Sequence, residues 1–175
     1  MSNFDLSEIE IYPMKIADVE QVYSIEVETF PSPWSKINFI SQLLRSKFNF
    51  YLVAKKGNEV IGYIGMIQGM KEGHITTIAV KSKFKRKKIG TILLISLIKK
   101  AIKKGITRLH LEVRESNKSA QKFYEKFKFA TIGKRIAYYS DTNDNALVMN
   151  INNIIDSEYK DFILKMENEI LKKYF

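Results

Sequence analysis

The sequence predicts a single α/β domain on a mixed, mostly antiparallel sheet, and three stretches carry that expectation. Residues 48–54 and 60–68 are apolar runs separated by KKGNE, the pattern of an antiparallel hairpin. Residues 75–80 form a β-branched run that leads through KSKFKRKKIG into a helix carrying Thr91, Ile92, Leu93, Ile95, Leu97 and Ile98. Residues 107–113 alternate: Leu109, Leu111 and Val113 share one face, while His110, Glu112 and Arg114 share the other.

The remaining elements follow in chain order. Residues 9–14 read as a first strand, and Asp18 is placed to cap a helix whose apolar stripe is Val19, Val22, Ile25 and then Thr29 or Phe30. Pro31 and Pro33 force an extended corner in FPSPW, and Ser35 is placed to cap a second helix with Phe39, Ile40, Leu43 and Leu44 on one side. Gly62 and Gly65, inside the second arm of the hairpin, signal a bulge or a close backbone approach. Gly105, beside Lys103 and Lys104, stops the helix after the lysine-rich loop. Ser116 or Asn117 starts another helix, with Ala120, Phe123, Tyr124 and Phe127 inward. Strands at 131–137 and 146–151 then flank the loop YYSDTNDN. In the tail, Ile155, Tyr159, Phe162, Met166, Ile170 and Tyr174 recur at helical spacing, so an amphipathic helix is expected, packed on its own domain or on a partner. The division expected is a domain at 1–152 and a helical extension at 153–175.

Composition narrows the function. A chain of 175 residues with 45% hydrophobic residues buries one good core. A net charge of +10 points to an anionic partner: a cofactor phosphate, RNA or a membrane surface. Cysteine is absent, which excludes disulfides, thiolate zinc sites and a cysteine acyl-enzyme. No apolar run reaches membrane-spanning length, and MSNFDLSEIE has neither a basic nor an apolar leader region, so the cytoplasm is the expected compartment.

The lysine-rich loop opens a helix, where unpaired N–H groups and the dipole favour an anion, and Lys85, Arg86, Lys87 and Lys88 surround it with positive charge. It has the character of a phosphate site, although a basic run of this kind also occurs as a plain solvated surface. Neither G-x-x-x-x-G-K-[ST] nor G-x-G-x-x-G is present, so the P-loop and dinucleotide classes drop out. KRKKIG, residues 85–90, resembles the acetyl-CoA-binding motif Q/R-x-x-G-x-G/A of the GNAT N-acetyltransferase superfamily, with Lys85 at the Gln/Arg position and Lys88 at that of the first glycine. LEVRESNKSAQKFYEKFKF, residues 111–129, resembles the L-E-V-R-x-S-N-x-x-A-x-x-[LF]-Y-E-x-x-G-F signature of its ribosomal-protein-alanine N-acetyltransferase (RimI) branch. FPSPW, IAV at 78–80, R-x-x-Y-Y at 135–139 and the DNALVM close agree in order, so the resemblance spans roughly 10–150. Lys128 stands for the helix-ending glycine of that signature, and Asn145 for its usual aspartate.

The resemblance implies a GNAT fold with the strands at 75–80 and 107–113 splayed apart, and transfer of acetyl from acetyl-CoA to a protein's N-terminal amine, an alanine of a small-subunit ribosomal protein. It casts Glu112 as general base acting through water and Tyr124 as the acid that protonates the departing sulfur. It gives Ile78, Ala79, Val80 and Asn117 to the pantetheine, and backbone N–H groups of Lys85, Arg86, Lys87, Lys88, Ile89, Gly90 and Thr91 to the pyrophosphate. Phe30, Trp34 and Tyr138 become walls of a peptide groove, and no metal, DNA or membrane is called for. Without the resemblance, Glu112 reads as a solvated or Arg114-paired carboxylate, Tyr124 as a half-buried helix aromatic, and His74 and His110 as structural imidazoles, His110 sharing a strand face with Glu112. The same scaffold also suits a lysine or small-amine acetyltransferase. A basic RNA-binding module is the rival outside enzymes, and it lacks an aromatic platform of the RNP type.

Overall fold

β2 (Asn49–Lys56) and β3 (Glu59–Gly69) form the expected hairpin, and both bury residues on both faces. That explains runs of apolar residues in place of strict alternation. Phe50, Leu52 and Ala54 of β2 enter one core, and Tyr51 and Val53 enter a second on the opposite face. A computed structural model describes residues 5–174, with side chains described up to residue 172.

The sheet has seven strands in the order β1-β2-β3-β4-β5-β7-β6, with β1 at Ile9–Pro13, β4 at Glu72–Val80, β5 at Arg108–Arg114, β6 at Ala130–Tyr139 and β7 at Asp144–Ile151. All neighbours are antiparallel except β4 and β5, which run parallel and pair only at Glu72 with Arg108, Gly73 with Leu109 and His74 with His110. Beyond His74 the two strands part. α1 (Val19–Thr29) and α2 (Lys36–Leu44) cover one face, where Val22, Ile25 and Phe39 meet Tyr51 and Tyr63. α3 (Ile89–Lys103), α4 (Lys118–Glu125) and α5 (Ser157–Tyr174) contribute to the main core on the other. At Gly65 a Cβ would lie 2.2 Å from the Tyr51 ring, and the β3–β4 register shifts between Gly65 and Met66, so bulge and close approach both occur there.

Several expectations change in detail. Asp18 does not cap α1: a preceding 3₁₀ turn carries its carboxylate back to the Lys15 N–H at 2.9 Å and to Lys55 Nζ at 2.5 Å. Ser35 does cap α2, accepting from the Asn38 N–H, but Leu44, the last residue of that helix, points outward at 72% exposure. β4 begins at Glu72, which brings His74 into the sheet, and β6 runs to Tyr139 as an exposed edge strand. In the tail, Ile155 faces out while Ile154, Tyr159, Ile163 and Ile170 are buried. α5 packs on its own domain, with the Tyr159 hydroxyl donating to the Phe127 carbonyl at 3.1 Å and Lys99 paired with Glu167. The expected place of Tyr174 in that stripe lies outside the described side chains.

Gly105 ends α3 at φ +73, and Lys128 ends α4 at φ +66. A left-handed residue with a Cβ costs about 1 kcal/mol relative to glycine. Lys128 recovers part of this where its Nζ lies 4.7 Å from the Phe162 ring. Lys128→Gly is therefore expected to raise the thermal midpoint by about 2 °C, and Lys128→Ala, which keeps the strain and loses the contact, to lower it. Calorimetric scans of both variants check the sign.

Candidate active site

The site begins where β4 and β5 separate. Past His74, β4 has no neighbour on its β5 side, so the edge of residues 75–80 faces an open cleft. Below that opening His74 Nε2 meets Glu112 Oε2 at 2.5 Å, and Arg135 Nη2 of β6 lies 3.3 Å from Glu112 Oε1. The His74 ring stacks on His110 with centroids 4.6 Å apart. The two histidines are therefore not isolated, and one is a direct partner of the predicted base. The His74 hydrogen bond, ahead of the charges of His74 and Arg135, holds the Glu112 carboxyl below its usual range, although burial opposes it. His110 is pushed down, first by burial and then by His74. Arg114, the other candidate partner for Glu112, instead binds Asp141 with contacts of 2.9 and 2.7 Å and lies 3.9 Å over the Tyr139 ring.

Tyr124, on the inward face of α4, is 7% exposed and packed between Phe123 and Phe129. Burial, reinforced by Tyr139, pushes its phenol well above the ordinary value, so it stays protonated at any working pH. Tyr139 is raised to about 12 by burial, and it senses the charge of Glu112.

At the far end of the cleft, Arg86 and Lys88 adopt φ of +63 and +65. Left-handed residues of this kind turn successive N–H groups toward one concavity, the form of an anion nest. Lys88 thus takes the backbone geometry that favours the motif glycine. The first hydrogen bond into α3 is Ile92 N–H to the Lys88 carbonyl at 3.0 Å, so the N–H groups of Ile89, Gly90 and Thr91 begin the helix without an intrahelical acceptor. A Cβ on Gly90 would meet nothing nearer than Phe123 and Val80 at 3.8 Å, which leaves room beside that turn. The donors, nest and space fit a pyrophosphate. Asn117 accepts from the Ala120 N–H at 3.0 Å as the cap of α4, and its exposed amide nitrogen remains available.

The third part is a pair of loops. Ser32 Oγ donates to Asp141 Oδ2 at 3.0 Å, which links the 30–34 corner to the β6–β7 hairpin, and Arg114 grips the same carboxylate. Trp34 and Phe30, both half-buried, lie on one side of this link. Tyr138, 45% exposed and edge-on to Tyr139, lies on the other.

Residues 19–129 match the acetyltransferase (GNAT) family. The chain belongs to it. As a GNAT acetyltransferase it is an acetyl-CoA-dependent enzyme, with acetyl-CoA as its co-substrate. It is 38% identical to a Bacillus subtilis protein over 136 residues, covering 78% of this chain and 90% of that one. It is 33% identical to a Haemophilus influenzae protein named [Ribosomal protein bS18]-alanine N-acetyltransferase, over 79% of this chain and 95% of that protein. The structure superposes on the Escherichia coli ribosomal-protein-alanine N-acetyltransferase with a TM-score of 0.77 at 26% identity, covering 83% and 94% of the two chains.

Within this GNAT enzyme the departure at Asn145 has a local reason. Its amide donates to Glu115 at 2.7 Å and its oxygen accepts from the Ala137 N–H at 2.9 Å. An aspartate could not make the first bond, since a carboxylate only accepts. Sequence reasoning missed His74, Arg135 and Asp141 as site members. It also missed Glu26, a buried carboxylate that accepts from the Trp34 N–H and the Tyr63 hydroxyl. Arg135 lay within the R-x-x-Y-Y match without being marked as a site member; the rest depends on contacts between distant segments.

Proposed function

We propose that this enzyme acetylates the N-terminal α-amine of a protein that begins with alanine, a small-subunit ribosomal protein in the cytoplasm. The observation that carries the reading is the cleft itself: a half-buried Glu112–His74 pair sits where β4 and β5 part, with the clasped loops alongside. The named relatives in Haemophilus and Escherichia supply the substrate class. Among the described residues no helix is long and apolar enough to cross a membrane.

Acetyl-CoA supplies an activated thioester, and the chain's residues do the rest. The unpaired edge at Ile78, Ala79 and Val80 pairs with the pantetheine amides as an added strand would, and Asn117 donates alongside. The N–H groups from Lys85 to Thr91 hold the pyrophosphate, with the lysine side chains turned outward. The attacking amine titrates at about 7.7 to 8.0, so its deprotonation needs only modest help. Glu112, kept ionised by His74 and Arg135, draws the ammonium in and takes its proton through water, and His74 is placed to share that proton. As the new C–N bond forms and the C–S bond breaks, Tyr124 gives its proton to the leaving sulfur and regains one from the acetylated nitrogen, which must shed its second proton. Phe30, Trp34 and Tyr138 flank the incoming peptide.

A small-amine enzyme would have little use for two aromatic walls clasped through Ser32 and Asp141. An RNA-binding module would need neither the nest nor the Glu112–His74 pair. The test incubates the protein with acetyl-CoA and peptides beginning Ala, Ser, Met and Gly, together with lysine-bearing peptides whose N-termini are blocked. Mass spectrometry should find acetyl on the alanine α-amine; modification of the blocked lysine peptides alone would overturn the reading.

A further inference from the structure

Glu26 is 3% exposed, and no ion pair to it is formed among the described residues. A carboxylate in such a place is held by hydrogen bonds or not at all, and an apolar side chain of similar size would suit the surrounding core better. Oε1 accepts from the Trp34 N–H at 2.9 Å, and Oε2 accepts from the hydroxyl of Tyr63, a residue with no exposed surface. Burial pushes the Glu26 carboxyl up to about 7, with the Trp34 N–H opposing the rise.

The choice of partner is informative. The corner is Phe-Pro-Ser-Pro-Trp, and its two prolines have no N–H to anchor. The Phe30 N–H already closes α1 onto the Glu26 carbonyl, so Trp34 offers the first donor after Pro33. On its other side Glu26 reaches β4, because the Tyr63 hydroxyl lies 3.4 Å from Thr77 Oγ1, one residue before the edge at Ile78. Trp34 also rests on Phe39, which is edge-on to Tyr63, with centroids 5.6 Å apart at both contacts.

We infer that Glu26 is a positioning residue that fixes the Trp34 wall of the acceptor groove relative to the cofactor strand. The inference rests on the reading of the 30–34 corner as a wall of that groove. Small displacements at such a wall change reactivity, since attack requires the amine and carbonyl near contact distance.

The experiment compares Glu26→Leu, which fills the space without an acceptor, and Glu26→Gln, whose amide oxygen still accepts from Trp34. Tyr63→Phe, which keeps the ring, guards against loss of fold in the first. Glu26→Leu should raise the KM for an alanine-starting peptide about tenfold or more, with the Kd for coenzyme A within about twofold of wild type. Glu26→Gln should return KM to within a few-fold, and Tyr63→Phe should fall between the two. Trp34 is the only tryptophan, so acrylamide quenching of its fluorescence reports on the corner without any turnover. Quenching should increase in Glu26→Leu and stay near wild type in Glu26→Gln. Unchanged quenching in both Glu26→Leu and Tyr63→Phe would overturn the inference, as would a rise in KM matched by loss of coenzyme A affinity. If quenching changes as expected while wild type acetylates no N-terminal peptide, the acceptor assignment fails and the link from Glu26 to the corner stands.

Discussion

A Tyr124→Phe enzyme is expected to turn over about 10²-fold more slowly than wild type while binding coenzyme A almost as well. The substitution removes one oxygen from a ring that is already held by Phe123 and Phe129, with centroids 5.3 and 5.8 Å from its own. The variant keeps that ring packing, so stability should change little. What is lost is a proton donor. Because burial holds the phenol above its ordinary range, Tyr124 cannot serve as a base near neutrality, which under the proposed function leaves it the role of donor to a thiolate. Beside a ring as buried as that of Tyr124 a departing thiolate is less well solvated, which makes that donation more valuable than it would be in bulk solvent. Steady-state turnover of an alanine-starting peptide, with calorimetric titration of coenzyme A, separates the two effects. Full turnover in the variant would remove Tyr124 from the mechanism. The chain has no cysteine, so an acetylated form of the variant should not accumulate, and finding one by mass spectrometry would refute direct transfer.

The parts of this site that could be read in the sequence are those set by local periodicity. The alternation from Leu109 to Arg114 places Glu112 opposite the core face, and the structure keeps Leu109, Leu111 and Val113 buried while Glu112 turns toward the cleft side. Asn117 caps α4 and Tyr124 sits on its inward face, two consequences of a helix starting at one defined residue. The strand, loop and helix around the nest are equally local, and Lys88 reveals its left-handed backbone by standing where a glycine is usual. The Glu112–His74 contact is different in kind. It joins residues 38 apart and depends on a parallel register only three pairs long, which no periodicity within either strand encodes. Glu26 was hidden for another reason. Acidic residues on a helix are ordinarily solvated, and its burial is set by Tyr63, 37 residues away, and by a corner whose prolines leave few donors to satisfy. The clasp of Asp141 by Arg114 and Ser32 spans 27 and 109 residues, so a local reading finds only a polar loop there.

Glu112→Gln should slow the enzyme most at low pH and progressively less as the pH rises. The sign follows from which group titrates. Hydrogen bonding from His74, helped by the charges of His74 and Arg135, lowers the Glu112 pKa, so this carboxylate is ionised throughout the range above its ordinary value of about 4.3. A rise of rate between about pH 6 and 8 therefore reports the substrate amine and not Glu112, and it should be shallow in wild type, whose base deprotonates the bound ammonium, and steep in the variant. At pH 6.5 only about one α-amine in twenty is neutral, and an enzyme lacking its base must wait for that fraction. Near pH 8.5 most of the amine is already neutral and the base has less to contribute. The expected deficit is about 10²-fold at the lower pH, narrowing to about tenfold or less at the upper. Glutamine keeps its one oxygen for Arg135 and can donate its amide N–H to His74 Nε2 in the tautomer protonated at Nδ1, so the strands need not move, and coenzyme A affinity should be preserved. His74→Gln provides the companion measurement: if the pair handles the proton together, its deficit has the same dependence on pH. A Glu112→Gln enzyme as fast as wild type at pH 6.5 would dismiss Glu112 as the base. A deficit of equal size at every pH would reassign it to holding the geometry where β4 and β5 separate.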